Sequence, residues 1–414
     1  MDNTETKSRP YPRFAAERVR DALADARIVA VLGPRQSGKT TLVKELGDES
    51  RPFLTLDDAQ TREFARSDPE GFVRRVGRAA IDEIQRAPEL LLSLKKSVDE
   101  DPRPGRFLIT GSVDLFAASI SPDSLAGRVE VVKLLPLSQA ELLLRPRPRF
   151  LERAFANAFA PFSDAAPGRP ITEIVTAGGF PEALAREAGS RHEWFASYAQ
   201  SLARRDIPDL AALDKIGVMP SLINKCAHHA GQLINLSGVG AQAGLDAKTV
   251  ERWMVLLEQV YLVERVPPWF NNRLKRASKT PKLHFYDSGL LAALRGVNAE
   301  QLSRDRADLG PLLETFVFSE ISKLIALETG FFFISHYRDK SLAEVDFVLE
   351  RYEDIVGIEV KAGATVRADD FKGLKRVREA VGVRFKTGLV LYDGDQVKPF
   401  GDNLYAAPYS ILWE

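Results

Sequence analysis

Gly33-Pro34-Arg35-Gln36-Ser37-Gly38-Lys39-Thr40-Thr41 follows the apolar run Ile28–Leu32 and opens a segment of helical character, Thr41–Leu46. The first eight residues are a complete G-x-x-x-x-G-K-T, set between a strand and a helix as phosphate binding requires. The glycines let the backbone curl so that successive N–H groups point inward at an anion. Lys39 reaches the β- and γ-phosphates, and the Thr40 hydroxyl is placed for Mg²⁺. At ordinary glycine usage the pattern arises by chance in roughly one chain per hundred. Gly33 through Thr41 are therefore the expected contacts of a nucleoside triphosphate.

Strand-sized runs recur at Phe53–Leu56, Ala79–Ile81, Phe107–Ile109 and Val131–Leu135, separated by helical segments such as Glu89–Val98. Alternation of this kind predicts an α/β fold with a parallel sheet covered on both faces. Asp82, at the end of the third run, is the expected Mg²⁺ partner of Thr40. Glu83 is placed to polarise a water, which favours hydrolysis over transfer to an acceptor. The extra strand Phe53–Leu56 between the two motifs points the same way. Thr110 and Ser112 end the next strand as candidate sensors of the γ-phosphate. Arg128, in Leu125-Ala126-Gly127-Arg128, reads either as an arginine finger or as a surface arginine.

The phosphate loop, Ile81-Asp82-Glu83-Ile84-Gln85 and Leu108-Ile109-Thr110-Gly111-Ser112 resemble bacterial and archaeal AAA-type ATPases with a C-terminal nuclease-like domain of unknown function. Gly178–Glu182, Lys279–Lys282, Phe285–Leu290, Glu314–Val317 and Glu344–Lys361 resemble the remainder of those chains. The resemblance spans all but about residues 145–170. It implies ATP binding and says little of biological role.

Near the C-terminus, Glu344-Val345-Asp346 and Ile358-Glu359-Val360-Lys361 flank the turn Arg351–Asp354. A symmetric hairpin pairs residues whose numbers sum to 705, opposing Asp346 to Glu359 and Glu344 to Lys361 on one face. Opposed carboxylates need a positive charge between them. A second divalent metal fits, with oxygen ligands suited to Mg²⁺ or Mn²⁺ and Lys361 beside it as a catalytic cation. The D…E-x-K arrangement resembles restriction-endonuclease-like nucleases, in which an acid on a helix completes the site. Glu314 is the matching position. The competing reading is a salt-bridge cluster on an ordinary hairpin.

Between these regions, short helices over 219–244 precede a helix capped by Asp246, with Val250, Met254 and Leu257 on its buried face. A strand, Tyr261–Val266, follows. This predicts a winged helix-turn-helix with Lys248, Thr249 and Arg252 facing nucleic acid. Arg273, Lys275, Arg276, Lys279 and Lys282 form a basic run without an acid, suited to phosphate contacts or simply to a solvated loop. Winged helices also dock proteins. Cys226, His228 and His229 supply too few ligands on one face for zinc.

The chain has 414 residues with 57 basic and 57 acidic side chains, so no bulk charge draws it to nucleic acid. One cysteine excludes an intrachain disulfide, and no apolar run is long enough for a membrane helix. The polar N-terminal stretch lacks a secretory signal, which predicts a cytoplasmic protein. Four regions are expected: an ATPase core over 1–140, a linker and helical lid over 141–215, a winged helix over 216–268 and a nuclease-like domain over 269–414. The expected activity is Mg-ATP hydrolysis coupled to DNA binding or processing. An ATP-gated switch for a protein partner, with a silent scaffold, is the alternative. ATP, DNA and further copies of the chain are the expected partners.

Overall fold

The computed structural model describes residues 11–47, 50–114, 125, 127–163, 168–210, 216–270, 280–341 and 343–414. Its first sheet is parallel throughout, in the order β2 (Phe53–Thr55), β3 (Ala79–Asp82), β4 (Phe107–Gly111), β1 (Ile28–Leu32), β5 (Val129–Lys133). All five residues of β1 are buried because its two faces pack on different partners. Val29 and Val31 meet Val19, Ala22, Leu42 and Val43 on one side. Ile28, Ala30 and Leu32 face Leu90, Leu94 and Ile109 on the other. A strand side-chain period of two delivers this double burial.

β2 lies at the sheet edge. The strand standing between the phosphate-loop strand and the Asp82 strand is β4, which brings Thr110 beside Asp82.

The Arg- and Pro-rich stretch after Leu144 does not run on as a linker. Phe150–Ala156 is a helix whose Phe150, Leu151, Ala154 and Phe155 are buried. Spacing of i, i+1, i+4 and i+5 marks one helical face, and that face packs on the C-terminal sheet. The Thr387 hydroxyl donates to the Ala154 carbonyl at 2.7 Å, and Asn157 Nδ2 to Asn403 Oδ1 at 2.7 Å.

Helices Met219–His228, Leu236–Ala243 and Ala247–Gln259 lead into an antiparallel ladder of β6 (Val263–Val266) and β7 (Lys282–Phe285). Asp246 caps the third helix through the Thr249 amide at 2.9 Å, as its position predicts. Trp253 and Leu256 join the buried face. Cys226 is core, 3.6 Å from the Met254 sulfur.

Two motifs far apart in the chain meet at Asp287. Its carboxylate accepts from the Gly179 amide at 2.7 Å and caps the helix Ser288–Arg295 through Leu290 at 2.9 Å. Gly178 has φ 67°, and a Cβ there would lie 2.3 Å from Asp287 Oδ1. Only glycine meets both conditions.

The second sheet has the order β12 (Lys398–Pro399), β13 (Leu404–Pro408), β11 (Phe385–Tyr392), β10 (Asp354–Lys361), β9 (Glu344–Arg351), β8 (Phe332–Arg338). β9 and β10 form the expected hairpin. Asp354 pairs with Arg351 and Ile358 with Phe347, so paired numbers sum to 705. Past Phe347 the Asp346 side chain takes over and accepts from the Val360 amide at 2.9 Å. No helix among the described residues is long and apolar enough to cross a membrane.

Candidate functional site

The phosphate loop joins the end of β1 to the helix Lys39–Glu45. Gln36 (φ 60°) and Gly38 (φ 96°) occupy left-handed conformations, which turn the loop's backbone N–H groups inward. A Cβ on Gly33 would lie 2.1 Å from the Leu134 carbonyl oxygen, so close backbone approach also requires that glycine. Pro34 and Ser37 are buried; Gln36 and Thr41 are exposed. The Ser37 hydroxyl is buried with no hydrogen-bond partner among the described residues.

Lys39 is buried, with Nζ donating to the Gly33 and Pro34 carbonyls at 2.9 and 2.7 Å. Burial pulls its pKa down to about 8, against the opposing pull of Glu83 and Asp82. Thr40 Oγ1 lies 3.0 Å from Asp82 Oδ1, and Thr110 Oγ1 donates to the same carboxylate oxygen at 2.6 Å. The Thr110 hydroxyl also accepts from the Glu83 amide at 3.0 Å. Thr110 is therefore a buried brace between the two acids rather than a nucleotide contact, because both its hydroxyl functions are spent on them.

Glu83 stands half-buried at the end of β3 with φ 60°, a conformation that costs a non-glycine residue about 1–3 kcal/mol. Gln85 Nε2 donates to its carboxylate and also to the Ser112 hydroxyl, the latter at 2.8 Å; Ser112 Oγ lies 3.5 Å from the Glu83 carboxylate. Gln85 was not distinguishable from the sequence as a positioning residue, although Ile81–Gln85 carries part of the family resemblance.

Arg35 turns away from the loop's cradle and pairs with Asp206 at 2.6 Å; its carbonyl accepts from the Tyr198 hydroxyl at 3.3 Å. Arg13, unmarked by any motif, donates to the Ser37 and Leu135 carbonyls at 2.6 Å each and to Glu141 at 3.1 Å. Arg13→Ala is expected to cost about 2–3 kcal/mol, since charge-assisted bonds to buried acceptors are lost. Thermal denaturation with and without ATP checks this; an unchanged melting temperature would contradict it.

Arg128 is not at this site within the chain. Its carbonyl accepts from the Ile28 amide at the start of β1, and its guanidinium pairs with Asp99 at 2.5 Å. The phosphate loop leaves the other end of that strand, about 13 Å away at 3.3 Å per residue.

The predicted nucleic-acid residues separate. Lys248 and Arg252 are exposed on the helix Ala247–Gln259, while the Thr249 hydroxyl donates to Asp246 at 2.7 Å. Arg273, Lys275, Arg276 and Lys279 lie outside the described residues. Lys282 is buried, so it is no surface phosphate contact. Its Nζ lies 2.8 Å from Asp346 Oδ1, 2.8 Å from Glu314 Oε2 and 3.1 Å from Glu344 Oε1. The predicted second metal centre is corrected accordingly: an ammonium supplies the positive charge those acids need. Among the described residues no group of three His, Cys, Asp or Glu is placed to hold a metal ion. Lys361 pairs with Glu359 at 2.7 Å.

Residues 25–143 match the family model described as "AAA domain". This segment is similar to AAA domains and holds the parallel sheet with the phosphate loop after β1. Residues 169–301 and 309–412 match two models described as domains of unknown function, DUF8612 and DUF4143. An uncharacterized protein of Mycobacterium tuberculosis is 29% identical over 400 residues, covering 96% of this chain and 83% of the relative. One of Haemophilus influenzae is 22% identical over 359 residues, covering 80% and 82%. Among solved structures, the Walker-type ATPase of Pyrococcus abyssi aligns with 15% identity and TM-score 0.42, over 70% of this chain and 99% of that one. The Aeropyrum pernix ORC2 protein aligns with 14% identity and TM-score 0.33, over 72% and 97%.

Proposed function

We propose that this chain binds and hydrolyses ATP with Mg²⁺, and that its ATP state controls a DNA-engaging surface. The observation that carries the hydrolytic reading is the Thr40–Asp82–Thr110–Glu83 network: one acid tied to the loop threonine, the next left to face a water. The buried, unpartnered Ser37 hydroxyl and the Thr40–Asp82 oxygen pair suit a phosphate and a hard cation. Thr40 and Asp82 would hold Mg²⁺, which supplies charge neutralisation at the phosphates. Lys39 exchanges the Gly33 and Pro34 carbonyls for phosphate oxygens. Glu83, oriented by Gln85 and Ser112, takes the proton of the attacking water.

Lys39→Ala is expected to weaken ATP binding at least about a hundredfold, since a charge-assisted contact to phosphate is lost. Binding is also expected to be pH-dependent. Free Lys39 has a pKa near 8, and bound phosphates hold it charged, so binding takes up a proton above pH 8. Affinity should fall by up to about tenfold per pH unit there. Calorimetry in buffers of different ionisation enthalpy checks the uptake; none at pH 9 would refute it.

Support for the DNA surface is the three-helix segment with its β6–β7 ladder, read as a winged helix that exposes Lys248 and Arg252. Replacing both by Ala should reduce the slope of log affinity against log salt by about 2, with affinity lowered on all sequences alike. DNA-stimulated hydrolysis supports this reading. Hydrolysis indifferent to DNA favours the second reading, an ATP-gated switch for a protein partner. The withdrawal of Lys282 and Thr249 from the nucleic-acid set favours that alternative.

A further inference from the structure

The cleft bounded by β7, β9, β10 and the helix Leu309–Ile325 encloses about 480 Å³. Its wall carries Glu314, Glu344, Asp346 and Glu359, the four acids that the sequence places near a second metal. The residues present do not fit a metal, because a side chain already stands where the cation belongs. Lys282 is 3% exposed, and its ammonium touches three of the four acids. Asp346 accepts a hydrogen bond from that ammonium, and Glu314 and Glu344 meet it as ion pairs.

The backbone holds Lys282 in place from two sides. It pairs with Val266 across the β6–β7 ladder and bridges Leu233 on the other edge. Leu283 next to it exchanges bonds with the preceding loop, accepting from Gly231 at 2.7 Å and donating to Gln232 at 3.0 Å. With main chain paired on both sides, the ammonium is carried into the cleft by the ladder register. It is not a surface lysine folded back by chance.

Glu359 is the one acid of the four that the Lys282 ammonium does not reach. Glu359 is 7% exposed and lines the same cleft, and its Oε2 has no hydrogen-bond partner among the described residues. Its other oxygen is held by Lys361. A buried carboxylate oxygen left unsatisfied is costly.

We propose that Lys282 stands in for a divalent cation in this cleft, so that its acids are neutralised by an ammonium and a metal is excluded. The inference does not depend on ATP hydrolysis or on DNA binding. It predicts that the wild-type cleft takes no Mn²⁺, and that shortening the competition by Lys282→Met opens it.

The test uses the full chain and Mn²⁺ alone as probe, followed by the electron paramagnetic resonance signal of free Mn²⁺. The wild type and Asp346→Asn should bind the same number of ions. Lys282→Met should bind one more per chain, and 1 mM Mn²⁺ should raise its melting temperature by about 5 °C while leaving the wild type unmoved. Loss of the extra ion in Lys282→Met/Asp346→Asn would tie it to the cleft. The proposal is overturned if Asp346→Asn binds one ion fewer than the wild type, which would mean that Lys282 yields to the metal. It is also overturned if folded Lys282→Met gains none. Should Lys282→Met fail to fold, the comparison of wild type with Asp346→Asn decides alone.

Discussion

Glu83→Gln is expected to lose about 10²–10⁴-fold in ATP hydrolysis while its ATP affinity stays within about threefold of the wild type. The amide is isosteric with the carboxylate and keeps a partner for Gln85 and Ser112. It cannot accept the water's proton. Lys39, Thr40 and Asp82 stay intact, so binding and chemistry should separate. Phosphate release and equilibrium binding of a fluorescent ATP analogue measure the two quantities. Hydrolysis retained within tenfold would remove Glu83 as the base. Gln85→Ala should show a smaller loss of rate, since it frees the base without deleting it.

Lys282→Met is expected to destabilise the fold by about 3–5 kcal/mol, because it leaves buried carboxylates without their counter-charge. Asp346 should dominate that loss. Its side chain is 7% exposed, against 20% for Glu314 and 32% for Glu344, where water screens the charge. The surrounding electrostatics agree. Burial works against charge on Lys282, yet Asp346, Glu314 and Glu344 together hold its pKa above the ordinary lysine value. Burial and the neighbouring Asp346 push Glu314 upward, against the pull of Lys282. Lys282→Met/Asp346→Asn should therefore be more stable than Lys282→Met alone. Urea denaturation of the four chains checks this. Independent, additive losses would mean that the ion pair is not what holds the cleft.

The phosphate loop and its flanking strand and helix were legible because all the chemistry lies within fourteen residues and depends on local backbone conformation. The β9–β10 hairpin was legible for a related reason: a short turn sets its own register, so Asp354 opposes Arg351 without help from the rest of the chain. Helix 150–156 was hidden by the Pro and Arg residues before it, although Phe150, Leu151, Ala154 and Phe155 carry a helical face. Arg128 read either as an arginine finger or as a surface arginine because nothing local says at which end of the sheet it lies. It immediately precedes β5, at the end opposite the phosphate loop.

Thr110 and Lys282 mark the same limit in different forms. A hydroxyl at a strand end faces a ligand or a neighbour according to which strand lies alongside, and the order β3–β4–β1 sets Thr110 against Asp82. Lys282 ends a basic run, and lysine is almost never buried without a partner. Its partners stand 32 to 64 residues further along the chain, on a helix and a strand that meet it only after both sheets have packed.

By itself the sequence determined the local elements: the strand–loop–helix that cradles phosphate, the Asp82-Glu83 pair, and the β9–β10 hairpin with its register. The hairpin register itself runs only to the Ile358–Phe347 pair; these elements depend on backbone conformation and short-range periodicity, which neighbouring residues dictate. The tertiary structure alone decided what each charge meets. Thr110 braces Asp82, Arg35 pairs with Asp206, and the cation among the C-terminal acids is a lysine. Charges act through space, and the distances that matter are set by packing between segments far apart in the chain.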